Sequence, residues 1–356
     1  MKAAVVRGNA IVVDDVADPV PGDGHVLART LACGICGSDL HALEHLDDFI
    51  ELTRRTGGPG GLEPGRDVVF GHEYCAEIVE FGPSTQQTLP VGTRVCTPPM
   101  VLGPQGPETV GYSHRYPGGF GELMVLQEAL LLPVPDNLSS ADAALTEPLA
   151  VGEHAAVRAE VGENDVCVVI GCGPIGLAVI AALRARGLGP ILAADFSATR
   201  RQLAEHLGAD EVLDPATASP FSRWGDLGVP AGALERIVAD MFETPVRDAV
   251  IFEAVGNPGV LQAIIDGAAP RSRVVVVGVC MQQDWIEPAL AVTKELDVRF
   301  ALGYSREEFE ATLGRLGRAA TEVAPLVTGT VGVDGVAAAV EDLRNPEHHV
   351  KVLVAP

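Results

Sequence analysis

Basic residues are scarce in this chain. Its 25 Lys and Arg face 48 Asp and Glu, for a net charge of −23. Such a surface repels phosphate backbones and anionic lipid, so neither nucleic acid nor a membrane is an expected partner. No stretch approaches the roughly 20 uncharged apolar residues of a membrane span. The opening Met1-Lys2-Ala3-Ala4-Val5-Val6 lacks the apolar core of a secretion signal and reads on as a strand, which places the protein in the cytoplasm as an expectation. Cysteines number seven, odd and unevenly spread, which fits reduced thiols rather than a disulfide framework. A single C-x-x-C occurs, Cys33 to Cys36, so a four-cysteine zinc site built from two such pairs is excluded.

At 356 residues the chain is long for one core, and two domains are expected. The most informative stretch is 166–195. Val166-Cys167-Val168-Val169-Ile170 is a β-branched apolar run of the kind buried in a parallel strand. Gly171-Cys172-Gly173-Pro174-Ile175-Gly176 follows, then a helix over 177–186 rich in Ala and Leu, then a second apolar run, Ile191-Leu192-Ala193-Ala194, ending at Asp195. This is a βαβ unit with a G-x-G-x-x-G turn. Gly171 permits the tight turn, Gly173 lets backbone approach a pyrophosphate, and Gly176 lets helix pack on strand. The helix N-terminus offers free N–H groups and positive partial charge to phosphates. Asp195 sits where a carboxylate accepts from the ribose hydroxyls of NAD and repels a 2′-phosphate. Arg200 and Arg201 follow it, and an arginine there holds a 2′-phosphate, so NADP stays open beside NAD.

Ahead of this unit, short strands are predicted at 3–6, 11–13 and 26–32, split by Pro19, Pro21, Gly22 and Gly24. Then comes Cys33-Gly34-Ile35-Cys36-Gly37-Ser38-Asp39-Leu40-His41. Residues 44–66 read as an exposed loop or short helix. Gly71-His72-Glu73-Tyr74 leads into a strand over 75–79. A His-Glu pair is common by chance as a solvated pair, yet beside Cys36 in space it supplies imidazole and carboxylate to one metal, the usual mix for zinc. A helix is predicted from Ser139 or Ser140, another over 200–207, buried strands over 250–256 and 273–279, a last sheet strand over 298–302, and a terminal strand over 351–354.

Taken as a set, Cys36-Gly37-Ser38-Asp39-x-His41, Gly71-His72-Glu73, Gly92-x-Arg94-Val95 and Gly171-x-Gly173-x-x-Gly176 resemble, in order and spacing, the medium-chain zinc-dependent alcohol dehydrogenases, along nearly the whole chain. Glu147-Pro148-Leu149-Ala150-Val151-Gly152 is similar to the sorbitol, threonine and butanediol dehydrogenase branch, which has Glu where other members have a zinc-binding Cys. The resemblance implies an α/β chain. A GroES-like β-rich catalytic domain would span residues 1–150, completed by 305–356, with a doubly wound Rossmann domain over 151–304. It implies hydride transfer between a small secondary alcohol or polyol and NAD. The rivals are a zinc-free quinone or enone reductase of the same fold, and a non-catalytic NAD-binding protein. Cys36 and His72 would bind zinc with either Glu73 or Glu147 as third ligand; Ser38 and His41 would relay the proton; Asp39 would orient His72; Pro174 and Ile175 would belong to the cofactor turn, with Val255 and Val277 lining the nicotinamide pocket. Residues 97–120 contain no Cys, so the four-cysteine structural zinc of many members is absent and one zinc per chain is expected. Tyr112 to Phe120 replace that lobe's usual content, and His114 reads as a surface histidine. Homodimers or homotetramers are the assemblies the resemblance implies.

Overall fold

The computed structural model describes residues 1–356, apart from the side chains of 319–321. The chain divides into two units, Met1–Glu147 with Phe309–Pro356, and Pro148–Glu308.

The first unit is built from antiparallel strands. Lys2–Arg7 pairs Ala10–Asp15 and the short Val68–Val69 in a three-stranded sheet. The long strand His25–Gly34 is the hub of a seven-stranded sheet. It pairs Glu73–Phe81, Leu123–Gln127 and the C-terminal Lys351–Val354. Its burial is nearly continuous, as expected of a central strand flanked on both edges. Ala3, Val5, Val26, Ala28, Ile78, Met124 and Val352 pack into one core. The C-terminal strand is thus a member of the first unit's main sheet, beside Cys33 and Gly34.

The predicted strands and helices are found, with shifted ends. The helix expected from Ser139 or Ser140 runs Ser140–Ala144, with the Ser139 hydroxyl accepting from the Asp142 amide. The 44–66 stretch contains the helix Leu46–Thr56, closed by Gly57 in a left-handed conformation. Residues 97–120 hold a small hairpin, Met100–Gly103 with Gly106–Thr109. Inside it Glu108 is buried, accepting from Ser113 Oγ at 2.6 Å and from Arg115 Nε at 3.1 Å. An internal ion pair therefore fixes this cysteine-free lobe.

The second unit is a six-stranded parallel sheet. In spatial order its strands are Glu211–Leu213, Ile191–Ala194, Asp165–Ile170, Asp248–Glu253, Arg273–Val276 and Asp297–Phe300. This is the doubly wound arrangement, whose strand order reverses beside the first strand, and dinucleotides bind at the carboxyl ends there. Val166, Val168, Leu192, Ile251 and Val274 form the core on one face. Two predicted strands are corrected. The 273–279 run pairs only to Val276, because beyond it the Val277 and Gly278 amides turn to the Glu253 carbonyl at 2.9 and 3.0 Å. The last strand is Asp297–Phe300 rather than 298–302, in register with Arg273–Val276.

Candidate metal centre and cofactor turn

Cys36 stands at the N-terminus of the helix Gly37–Glu44, in extended backbone. The Asp39 carboxylate folds back to accept from the Cys36 amide at 2.9 Å, closing the first turn. That contact pins the cysteine to a rigid element. Ser38 and His41 lie three apart on the same helix, hence on neighbouring positions of one face.

His72 and Glu73 come from the start of the neighbouring strand. Glu73 opens the strand Glu73–Phe81 and pairs in register with Gly34. Gly34 is required by close approach: a Cβ there would stand 1.9 Å from Glu73 Oε2. The missing side chain is what lets this carboxylate lie against the central strand. One donor atom each from Cys36, His72 and Glu73 falls within 4.8 Å of the others, and His72 and Glu73 are buried. Among the described residues this is the one such group. Thiolate, imidazole and carboxylate converging at a buried point are a zinc-type donor set with a fourth position left for substrate. Among the described residues the buried Nδ1 of His72 has no hydrogen-bond partner of good geometry, though Asp39 Oδ1 is 3.4 Å away. Burial works against a charged imidazole, but Asp39 and Cys36 outweigh it and hold His72 well above the usual histidine range. A cation arriving here would compete with that proton.

Sequence reasoning missed Lys351. Its ammonium is buried, 2.6 and 2.7 Å from the two Glu73 oxygens and 3.0 Å from the Ile35 carbonyl. Burial opposes the charge, yet Glu73 and, less strongly, Cys36 and Glu147 raise its pKa. The available signal was a lone lysine opening an otherwise apolar, fully buried strand. Glu147 lies in the first turn of the helix Thr146–Ala159, outside the trio but near enough to act on Lys351 through its charge. Tyr112 was also missed as a site residue. Its hydroxyl lies 2.9 Å from both Ser38 Oγ and Asp39 Oδ1, and its ring centroid is 5.1 Å from that of His72. His114 holds a loop instead: its ring nitrogens meet the Asp67 carbonyl and the Glu63 amide.

In the second unit the glycine turn has the predicted form. Pro174 opens the helix Pro174–Ala185 at a position where its missing N–H costs nothing. A Cβ on Gly176 would stand 1.9 Å from the Gly171 carbonyl, whereas one on Gly173 would meet only Arg200 Nη1 at 3.8 Å. The middle glycine thus borders open space while the last is clamped. Asp195 caps the turn from the neighbouring strand end, accepting from the Cys172 amide at 2.7 Å and the Ser197 amide at 2.8 Å. Arg200 Nε is buried and has no hydrogen-bond partner among the described residues. Ile175 is half-buried in the first turn of the helix. Val255 is partly exposed just past Glu253, and Val277 is buried past the next strand.

Family models and relatives match nearly the whole chain. A family described as "Alcohol dehydrogenase GroES-like domain" matches residues 22–136, and "Zinc-binding dehydrogenase" matches 174–318. The (R,R)-butanediol dehydrogenase of Bacillus subtilis is 32% identical over 97% of this chain and 96% of its own. The sorbitol dehydrogenase of the same organism is 29% identical over 80% of this chain and 76% of its own. The crystal structure of 2R,3R-butanediol dehydrogenase from Bacillus subtilis superposes with a TM-score of 0.78 at 30% identity, covering 100% of this chain and 99% of that one. The chain therefore belongs to the medium-chain zinc-dependent alcohol dehydrogenases, in the branch of the butanediol and sorbitol dehydrogenases, and is an alcohol or polyol oxidoreductase using zinc and a nicotinamide cofactor.

Proposed function

We propose that the protein oxidises a small vicinal diol or other secondary alcohol with NAD, and that Cys36, His72 and Glu73 hold its single zinc. The observation that carries this reading is the convergence of those three donors within 4.8 Å on rigid elements. Zinc, when bound, acts as a Lewis acid that lowers the pKa of the substrate hydroxyl, and the nicotinamide accepts the hydride. The remaining work belongs to the chain. Asp39 orients the His72 ring and thereby selects its tautomer. Lys351 balances the Glu73 carboxylate, so that the site is not left with an uncompensated buried anion. Ser38 takes the proton of the alcohol as it gives up its own hydroxyl hydrogen towards His41, one turn further along the helix, which releases a proton to water. Glu147 supplies negative charge behind Lys351.

Asp195 is proposed to bind the adenosine ribose, its spare lone pairs accepting from the hydroxyls. Asp195→Ser is expected to lower the preference for NAD over NADP by about 10–100-fold, the worth of one charged hydrogen-bond partner. Ratios of kcat/KM for the two cofactors check this. We also place the protein in the cytoplasm as a homodimer or homotetramer. All seven cysteines are unpaired, which suits a reducing compartment, and among the described residues no helix is long and apolar enough to cross a membrane. The test of function is a screen for NAD reduction over diols, polyols, hydroxy amino acids and simple secondary alcohols, with zinc measured on the same sample. Turnover of a secondary alcohol by zinc-loaded protein supports the reading; zinc-loaded protein inert towards all of them contradicts it.

A further inference from the structure

In the second unit the helix Ala233–Met241 turns an apolar stripe outward. Leu234, Ile237, Val238, Met241 and Phe242, the last just past the helix end, recur at i, i+3, i+4, i+7 and i+8 and so share one side. Such a stripe ordinarily faces a core. Here Leu234, Met241 and Phe242 are 74, 73 and 74% exposed, and Ile237 and Val238 are 52 and 44% exposed. The other sides of the helix hold it to its own unit. Ala239 is buried, Arg236 Nη2 donates to Asp248 Oδ1 at 2.6 Å, and Asp240 Oδ2 pairs with Arg271 Nη1 at 2.9 Å. Trp224 and Val229, from the segment before the helix, pack with the apolar residues of the sheet instead, and the Trp224 indole donates to the Gly267 carbonyl at 2.8 Å.

We propose that a second copy of this chain covers the stripe, the two helices lying antiparallel across a two-fold axis near Val238. Three observations favour that occupant. The stripe runs from Leu234 to Phe242 with Val238 at its middle, so antiparallel pairing sets the leucine end of one copy against the Met241 and Phe242 end of the other, and the surface is its own complement. Its area suffices: at roughly 200 Å² for a fully exposed large side chain, these fractions leave about 600 Å² per chain, so two copies bury about 1,200 Å², enough for a specific interface. Its charge is wrong for lipid. Helices that lie on membranes carry Lys and Arg on the polar side, whereas the one basic residue of this helix, Arg236, is tied to Asp248 while Glu235, Asp240 and Glu243 flank the stripe. The inference rests on the homo-oligomer proposed above and gives it a surface; it draws on neither the zinc nor the proton path.

The test is the mass in solution of the zinc-loaded full chain, by sedimentation, for wild type and for the double variant Leu234→Glu with Met241→Glu. Both side chains are mostly exposed, so the fold should persist, and circular dichroism and zinc per chain check that it does. Four like charges facing across the two-fold axis are expected to halve the mass of the assembly, whether the wild type holds two chains or four. A second variant serves in case the first fails to fold. Val238→Cys changes little, and a short bismaleimide, which adds one thiol to each of its two ends, is expected to join two chains of it into a covalent pair. Wild type treated alike, with its native thiols, is the control and should yield no such pair. A double variant that folds and keeps the wild-type mass overturns the inference while the homo-oligomer stands. So does failure of Val238→Cys to cross-link above the control. Wild type that sediments as a single chain overturns the homo-oligomer and the inference with it. Flotation of the wild type, but not of the double variant, with phosphatidylcholine vesicles would assign the stripe to lipid and likewise overturn it.

Discussion

Lys351→Met is expected to destabilise the zinc-free protein by about 3–5 kcal/mol, the cost of stranding one member of a buried ion pair. The stranded member is Glu73, whose two oxygens are both held by the Lys351 ammonium. Methionine matches the length of the lysine stem, so little packing is lost and the effect isolates the charge. The zinc-loaded variant should lose less, because a divalent cation bound by Glu73 replaces the missing positive charge. The sign with pH follows from the raised pKa of Lys351. A raised folded-state value means the contribution is fully present below the unfolded lysine value and disappears only as pH rises through the folded one. The gap between wild type and variant should therefore be constant through neutral pH and narrow only in strong alkali. Urea unfolding of chelator-treated and zinc-loaded samples across pH measures this. Equal stability of the two zinc-free proteins would contradict the buried pair.

Cys36→Ser is expected to abolish tight zinc binding and to lower kcat by at least about 10³-fold, since Lewis-acid stabilisation is worth several kcal/mol and each 1.36 kcal/mol is a factor of ten. The fold should persist. Cys36 caps its helix through backbone, the Cys36 amide donating to Asp39, and that contact does not need the thiol. Metal analysis and circular dichroism on one preparation separate loss of zinc from loss of structure. Retained stoichiometric zinc in C36S would remove the cysteine from the donor set.

What was legible in the sequence and what was not divides by distance along the chain. The glycine turn, its helix and the strand ending at Asp195 lie within some thirty residues and follow from local rules: β-branched strand, glycines where a Cβ would collide, Pro at the helix start. The cluster from Cys36 to His41 was likewise local, and Gly71-His72-Glu73 was readable as a second cluster. That the two meet depended on resemblance rather than on spacing. Lys351 is 278 residues from Glu73, and Tyr112 is 74 residues from Ser38. Nothing in the pattern around Tyr112 distinguishes it from any loop aromatic, so only the folded lobe assigns it a place beside His72. Strand ends failed for a different reason. Runs such as 273–279 stay apolar past the last ladder bond, because the same residues that fill a strand also line the turn after it.

X-ray absorption at the zinc edge of the zinc-loaded protein tests the central claim most directly. The account predicts one zinc per chain whose shell contains a single sulfur at about 2.3 Å, with nitrogen and oxygen at about 2.0–2.2 Å. A shell without sulfur, or one with several, would contradict it.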